Sequence, residues 1–276
     1  MPPSSRSRSP KRCSNTSEEP GEGALGAAVA PVPETSTSPV AEVWRLKLIH
    51  ITKTAGSALE HWGKARGFRW GKHWPELCDR NRVLRAPQQN SLRCERYHTP
   101  PCFFEENPYK GFIPFTVVRD PYSRMISEFR CPWKGFQAPK AKPTQLRAAA
   151  EKQRNSATAA DLNKWVKSKL RAGVAKSPFK SGHFIPQSLY ICDEDGKQAV
   201  LADNILRYET LEADLDRLLK QHGWNEGPSS FEACRLNGSD MPPFSEKDLD
   251  AESLQLIEEA YRDDFDMLGY QRCKRQ

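Results

Sequence analysis

The stretch VWRLKLIHITKTAGSALEHWGKARG (Val43–Gly67) determines the kind of fold that this chain can adopt. Its first nine residues are rich in apolar and β-branched side chains that partly alternate, which predicts a strand that becomes buried towards Ile51. Small residues follow at once in Thr52–Ala58, and apolar side chains then recur at helical spacing until a glycine ends the pattern. We therefore expect a strand, a tight turn and a helix in that order.

A second stretch, GFIPFTVVRDPYSRMISEF (Gly111–Phe129), repeats this order. Gly111–Val118 predicts a strand, and the helix after it begins with Asp120 as N-cap and Pro121 at its first position. The turns that follow parallel strands lie at the same edge of a sheet. We therefore expect the two turns to lie close to each other.

The remaining periodic segments continue the alternation of strands and helices. Three further helices are predicted, over residues 159–173, 209–223 and 248–265. Three short strands are predicted, over residues 93–98, 188–192 and 204–208. This alternation predicts an α/β fold, a three-layer P-loop-like domain whose central, mainly parallel sheet is flanked by helices.

The first 42 residues differ in composition from the rest of the chain. They contain seven of the 22 prolines and no aromatic residue, so they cannot bury enough apolar surface to offset the entropy cost of ordering. We expect a disordered N-terminal tail over residues 1–42 and one folded domain over residues 43–276. No run of the sequence approaches the roughly 18 apolar residues that a membrane-spanning helix needs.

The charge and cysteine patterns restrict the partners of the domain. Residues 43–276 carry 38 basic and 30 acidic side chains, an excess that favours an anionic partner. The basic residues are dispersed and no nucleic-acid-binding motif accompanies them, so we expect no nucleic-acid partner. The eight cysteines form neither CxxC pairs nor zinc-type spacings, which argues against a structural metal site.

The first turn, Lys53–Ala58, has the composition of an anion site. Its small residues allow backbone N–H groups to approach an anion at the positive end of the following helix. The turn is not a Walker A motif, because Lys53 precedes Gly56 whereas that motif places its lysine after the glycines. Taken alone, the segment is also compatible with an ordinary tight turn.

The second turn adds a cation, Arg119, at the end of its strand, with Ser123 and Ser127 in the helical turns that follow. A guanidinium group can bind a phosphate with two hydrogen bonds, and a serine hydroxyl can add a third. A surface pair between Arg119 and Asp120 is the alternative for this turn alone. The two turns together predict a ligand with two separate phosphate groups.

These two turns also carry a family resemblance. IHITKTAGSALE and FTVVRDPYSRMISEF resemble the cofactor-binding segments of PAPS-dependent sulfotransferases, most of all those of the carbohydrate branch. HFIPQSLYICDEDGK, RYETLEADL and YRDDFDMLGY resemble the same branch, so the similarity extends over Val43–Tyr270. The resemblance implies transfer of a sulfuryl group from 3′-phosphoadenylyl sulfate (PAPS) to a hydroxyl group, on a carbohydrate acceptor, with adenosine 3′,5′-bisphosphate as the other product.

The resemblance also assigns roles to residues of the two turns. The 5′ phosphosulfate is expected at Lys53, Thr54, Ala55, Gly56, Ser57 and Ala58, and the ribose 3′ phosphate at Arg119 and Ser127. Lys53 would in addition stabilise the charge that develops on the leaving phosphate oxygen. Two positions depart from the family pattern, because Thr52 replaces a proline and Ala58 replaces a hydroxyl residue. These departures predict a looser turn or the loss of one phosphate contact.

Transfer to a hydroxyl group requires a base, and His98 is the candidate because it ends a predicted strand between the two turns. Sulfotransferases commonly have a catalytic histidine at a comparable point, although a buried structural histidine is the alternative. His183 and Gln187 lie within the resembling segments and are expected either to contact the cofactor or acceptor or to form structural hydrogen bonds. This scheme requires no metal ion.

Two other functions are compatible with the same turns. A P-loop kinase or other nucleotide-binding enzyme would share the strand, turn and helix, and would bind ATP with Mg²⁺. A catalytically inactive adaptor of the same fold would bind the cofactor without turnover. Golgi enzymes with a membrane anchor are common in the carbohydrate branch, but no anchor is predicted here, and the compartment and oligomeric state stay open.

Overall fold

The structure is a computed structural model in which residues 42–79, 81–84, 95–131, 135–136, 152, 155–175, 182–193, 195, 200, 202–225 and 243–273 are described. These residues belong to one compact unit, Thr37–Gln276. Apart from Glu42, the N-terminal tail that we expect to be disordered lies outside the described residues.

Three parallel strands form the sheet of the described residues: β1 (Leu46–Ile49), β2 (Ile113–Val118) and β3 (Ile205–Arg207). Their order is β1-β2-β3, with Leu48 opposite Phe115 and Thr116 opposite Ile205. Each strand lies within a stretch that the sequence predicted as a strand, and each is shorter than predicted. The parallel sheet brings the turns after β1 and β2 to the same edge.

Helices follow the strands as the hydrophobic periodicity predicted. The α-helices with described bounds are α1 (Gly56–Ala65), α2 (Pro75–Cys78), α3 (Pro121–Phe129), α4 (Ala159–Arg171), α5 (Ser188–Ile191), α6 (Leu211–Gln221), α7 (Ala251–Ala260) and α8 (Arg262–Leu268). Each helix in the described part of the chain is too short or too polar to cross a membrane.

The sheet is covered on both faces, which confirms the three-layer α/β fold. Leu46 and Leu48 of β1 pack in an apolar cluster with side chains of α1 and α6. Ile49, the next residue in the strand, belongs to a different cluster that includes residues of α2, α5 and α8. The alternation along β1 therefore separates two apolar layers, as expected for a strand buried on both faces.

A third apolar cluster lies beside the sheet and fixes the helix that follows β2. It joins α3 and α4 to α7 and α8 through large side chains such as Phe129, Trp165 and Phe265. The aromatic ring centroids of Phe129 and Trp165 are 5.5 Å apart. Because α3 is held on this side by packing, its first turn has a fixed position relative to the sheet.

Two of the predicted strands are helical turns instead. Arg96–His98 forms a 3₁₀ turn closed by hydrogen bonds from His98 N to the Glu95 carbonyl and from Thr99 N to the Arg96 carbonyl. Residues 188–191 form α5, because the buried carboxylate of Asp264 accepts hydrogen bonds from the first two amides of that turn at 2.9 and 2.8 Å. Tertiary contacts outweigh the local strand propensity in the second case.

The last predicted helix is divided into two. α7 ends at Ala260 and α8 begins at Arg262, since Tyr261 between them leaves the helical backbone region. The Tyr261 hydroxyl donates to the Phe184 carbonyl at 3.2 Å, which ties this break to the segment before α5.

Candidate active site

The first predicted anion site forms the turn between β1 and α1 and has an uncommon backbone. Lys53 and Ala55 have φ angles of 68° and 74°, in the left-handed region that non-glycine residues rarely adopt. Ala55 is the N-cap of α1, and no side chain caps this helix. The first amides of α1 are therefore available at the positive end of the helix, where an anion is stabilised.

Gly56 is required at this turn by its contact with His50. A Cβ atom at position 56 would overlap the Cδ2 and Nε2 atoms of the His50 ring. The backbone of the turn therefore lies directly on the imidazole, which is only 3% exposed. Substitution of Gly56 by any other residue would displace either the turn or the ring.

The threonines of the turn hold its shape. The Thr54 hydroxyl is buried and donates to the Ile51 carbonyl at 2.9 Å, so its hydrogen is used within the turn. The Thr52 hydroxyl donates to the His183 carbonyl at 3.3 Å, and the Thr52 carbonyl accepts from Arg124 Nε at 3.1 Å. Thr52, where proline was expected, thus anchors the turn and does not loosen it.

The second turn connects β2 to α3 and ends in a capped helix. Asp120 is the N-cap, and its Oδ1 accepts a hydrogen bond from Ser123 N at 2.8 Å, which confirms the predicted cap. Ser127 is half-buried one helical turn after Ser123. Asp120 thus occupies one amide at the start of α3, and the positive charge of this turn comes from Arg119.

Arg119 connects the two turns. Its Nη1 donates to the Lys53 carbonyl at 3.2 Å, and its guanidinium carbon lies 3.9 Å from the centre of the Tyr208 ring. The buried Nε atom has no hydrogen-bond partner among the described residues. Burial lowers the pKa of Arg119, but Tyr208 and Glu209 oppose this effect, and an arginine stays protonated in proteins. The guanidinium therefore has an unused donor beside the open end of α1.

Gln187 holds Arg119 by its backbone. The Gln187 side chain accepts from Arg119 N at 2.9 Å and donates to the Arg119 carbonyl at 2.8 Å. The whole residue is buried, and its own amide donates to Asp264. These are the structural hydrogen bonds that the sequence left open for Gln187, and a contact with the cofactor or acceptor stays a prediction.

His98 lies in a group of three histidines beside the first turn. Its ring centroid is 4.4 Å from that of His50, at an interplanar angle of 88°, and 6.0 Å from that of His183. Burial, followed by the charges of His50 and His183, lowers the pKa of His98 well below its usual value. A neutral imidazole at neutral pH can accept a proton, which is the property that a base requires.

His183 has the opposite protonation state. Its Nδ1 is 2.9 Å from Glu128 Oε2, and its ring also forms a hydrogen bond with the Cys131 side chain. Burial lowers the pKa of His183, but the interactions with Cys131 and Glu128 outweigh burial and raise it to about 9. His98 is therefore a neutral histidine next to a cationic one.

Glu128, Cys131 and His183 also place one possible ligand atom each within 4.8 Å of one another, a set of donors that Zn²⁺ accepts. In the described residues this is the one group of three histidine, cysteine or acidic side chains with such spacing. Glu128 Oε2 and the Cys131 side chain both form hydrogen bonds with the His183 ring, and a protonated imidazole cannot bind a metal. The cluster therefore acts as an ion pair that fixes the His183 ring.

The comparison with known families agrees with this arrangement of two turns at one sheet edge. Residues 45–271 match the sequence profile of the sulfotransferase family. The chain belongs to this family. Searches among curated proteins and among solved structures each gave no match. As a sulfotransferase, the protein is a transferase that moves a sulfuryl group to an acceptor carrying a hydroxyl group.

Several residues of this sulfotransferase's site were missed by sequence reasoning. His50 and Glu60 lie beneath the first turn, Arg124 ties that turn to α3, and Glu128 holds His183. Each is a polar residue within an otherwise apolar strand or on a helix, so its burial was the missing information. For His50, an imidazole between the apolar residues Ile49 and Ile51 of a predicted strand is the signal that could have found it.

Proposed function

We propose that this sulfotransferase uses PAPS as its donor and binds it across the two turns. The observation that carries the proposal is the contact between Arg119 Nη1 and the Lys53 carbonyl. It holds a cation with a free, buried donor next to the open N-terminus of α1. Two separate sites for phosphate groups at one sheet edge suit a nucleotide with 5′ and 3′ phosphates.

The residues of the chain fit these two groups. The Lys53 side chain and the open amides of Ala55, Gly56 and Ser57 would hold the 5′ phosphosulfate, and Arg119 with Ser127 would hold the 3′ phosphate. In the described residues no carboxylate pairs with the Lys53 ammonium group. Its charge is therefore available for an anionic ligand.

When bound, PAPS supplies the sulfuryl group that is transferred. Neutral His98 removes the proton of the acceptor hydroxyl as the new oxygen–sulfur bond forms and the bond from sulfur to the phosphate oxygen breaks. Lys53 stabilises the charge on the leaving phosphate oxygen, and cationic His183 lies close enough to His98 to favour an anionic group nearby. These steps use residues of the chain alone.

A carbohydrate is the acceptor that we propose. Its support is the resemblance of five segments of the chain to the carbohydrate branch, and this part of the proposal is separate from the donor site. Mass spectrometry of desulfated glycosaminoglycan chains incubated with PAPS and the enzyme tests it. Sulfated products are expected, and transfer to phenols or tyrosine peptides alone would contradict it.

Thermal denaturation tests the donor site and separates it from a kinase site. Adenosine 3′,5′-bisphosphate at about 100 times its Kd is expected to stabilise the native state by about 2.7 kcal/mol, which raises the Tm by several degrees. Arg119→Ala should lose most of this stabilisation. Arg171→Ala is the matched control, since Arg171 is 62% exposed in a surface pair with Glu252.

The rival functions predict other results in the same experiment. A nucleoside-triphosphate enzyme would be stabilised by ATP with Mg²⁺ and not by the bisphosphate. An inactive adaptor would be stabilised by the bisphosphate but would release none from PAPS, whatever the acceptor. If the bisphosphate stabilises the wild type and Arg119→Ala equally, Arg119 does not bind it.

A further inference from the structure

A buried network beneath the first turn joins Glu60 to His50 and Lys72. Glu60 Oε1 accepts hydrogen bonds from His50 Nδ1 at 2.7 Å and from Lys72 N at 2.9 Å. The Glu60 side chain is fully buried and that of His50 is 4% exposed. A buried carboxylate is costly unless it is paired, so this arrangement needs an explanation beyond packing.

The protonation of the network follows from its contacts. Burial raises the pKa of Glu60, but the hydrogen bonds from His50 and Lys72 N and the charge of Lys72 outweigh burial and lower it. Glu60 is therefore ionised at neutral pH and can only accept hydrogen bonds. His50 Nδ1 must carry the hydrogen, which fixes the ring and leaves Nε2 on the side of Gly56.

Two glycines make room for this pair. A Cβ atom at Gly56 would overlap the His50 ring, and one at Gly71 would overlap Glu60 Oε1. Gly71 also has a φ angle of 51°, which glycine adopts without strain. Backbone atoms of Gly56 therefore lie against the His50 imidazole, and those of Gly71 lie against the Glu60 carboxylate.

The other face of His50 meets His98. The two rings are nearly perpendicular, with centroids 4.4 Å apart, and Tyr97 packs beside both at 5.9 and 4.3 Å. The titratable groups that face His98 are His50, His183 and Lys72, besides Tyr97 next to it in sequence. His50 is therefore in contact with the proposed base on one side and with the phosphosulfate turn on the other.

We propose that His50, oriented by Glu60, is a positioning residue of the sulfuryl transfer that holds His98 edge-on beside the first turn. This inference rests on the proposed role of His98 as the base. His50 acts through His98 and the turn, and it needs no contact with the donor or acceptor. Glu60 acts through His50, because its hydrogen bond to Nδ1 selects one orientation of the ring.

The protonation of His98 can be measured without any turnover. NMR titration of histidine-labelled protein, with His98 assigned from a His98→Gln variant, is performed on the wild type and on His50→Asn. Asparagine keeps a donor near the Nδ1 position but removes the ring. Because His50 lowers the pKa of His98, the titration of His98 should move to higher pH.

The matched control is His61→Asn, which makes the same change at an exposed position of α1. It should leave the His98 titration where it is in the wild type. A folded His50→Asn variant whose His98 titration and kcat both match the wild type would overturn the proposal. If His50→Asn does not fold, Glu60→Gln keeps the volume of the network and removes the charge that orients His50.

Kinetics give the second measurement. His50→Asn should lower kcat at least about tenfold, and the low-pH limb of the kcat/KM profile should move to higher pH. Glu60→Gln should lower kcat by about threefold or more, and a fully active Glu60→Gln variant would overturn the role of Glu60. A wild type without turnover from PAPS counts against the proposed function, while the NMR titration still decides whether His50 controls His98.

Discussion

The turn after β1 and the turn after β2 lie next to each other at one sheet edge, yet the positive charge of each has a different source. The first leaves the start of α1 without a side-chain cap and has Lys53 and Ala55 in the left-handed backbone region. The second closes the start of α3 with Asp120 and relies on the Arg119 guanidinium. One site is built from backbone amides and the other from a side chain.

Under the proposed function, the two turns hold different groups of the nucleotide. Open amides at a helix N-terminus stabilise charge wherever it develops near them, which suits the reacting phosphosulfate. A guanidinium with a fixed fork of donors suits a phosphate that only has to be recognised. Changes in the first turn should therefore affect turnover, and changes in the second should affect binding.

Lys53→Met is expected to have the largest effect. Loss of the ammonium group beside the leaving oxygen removes about 3 kcal/mol of transition-state stabilisation, so kcat should fall about 100- to 1000-fold. The KM for PAPS should rise much less. Single-turnover measurement of bisphosphate release from PAPS gives both values.

Lys220→Met is the control for this substitution, because Lys220 is 55% exposed in a surface pair with Asp216. It should turn over like the wild type. A rise in KM with an unchanged kcat for Lys53→Met would mean that Lys53 binds the ground state and the transition state equally, and the distinction between the two turns would be lost.

Asp120→Ala should have the smallest effect, on stability alone. Removal of an N-cap side chain costs about 1 kcal/mol, or a fall in Tm of roughly 2–4 °C for a domain of this size. The affinity for the bisphosphate should not fall, since Arg119 keeps its contacts with Gln187 and Lys53. Calorimetric melting and titration measure the two quantities.

Asp250→Ala provides the comparison for that result, because Asp250 caps α7 with a hydrogen bond of 2.9 Å from Ser253 N. Asp250→Ala also loses the surface ion pair with Lys167, so it should lose at least as much stability as Asp120→Ala. A clear loss of bisphosphate affinity in Asp120→Ala, but not in Asp250→Ala, would mean that Asp120 belongs to the phosphate site.

The local parts of the fold were predictable from the sequence. The two strand–turn–helix units, the Asp120 cap and the α/β class follow from periodicity and capping residues, which act over a few positions. The helical turns at His98 and at Ser188 were not predicted, because the second depends on the carboxylate of Asp264, 76 residues away. The same limit explains why His50 and Glu60 were missed, since their importance depends on burial.

The individual residues of the candidate site were predictable, but the contacts that hold them in place were not. Sequence pattern and resemblance selected Lys53, Arg119 and His98, and the structure brings all three to one region. That Gln187 would hold Arg119, and that the rings of His98 and His50 would touch, depends on packing between segments far apart in the chain.

The central claim is that each turn binds one phosphate of the same nucleotide. Isothermal titration calorimetry of adenosine 3′,5′-bisphosphate, adenosine 5′-monophosphate and adenosine 3′-monophosphate tests it directly on the wild type, Lys53→Met and Arg119→Ala. In the wild type the bisphosphate should bind about 10- to 100-fold more tightly than either monophosphate. Arg119→Ala should bind the bisphosphate and the 5′-monophosphate with equal affinity. Lys53→Met should reduce only the difference in affinity between the bisphosphate and the 3′-monophosphate. An Arg119→Ala variant that keeps the wild-type preference for the bisphosphate over the 5′-monophosphate would contradict the account.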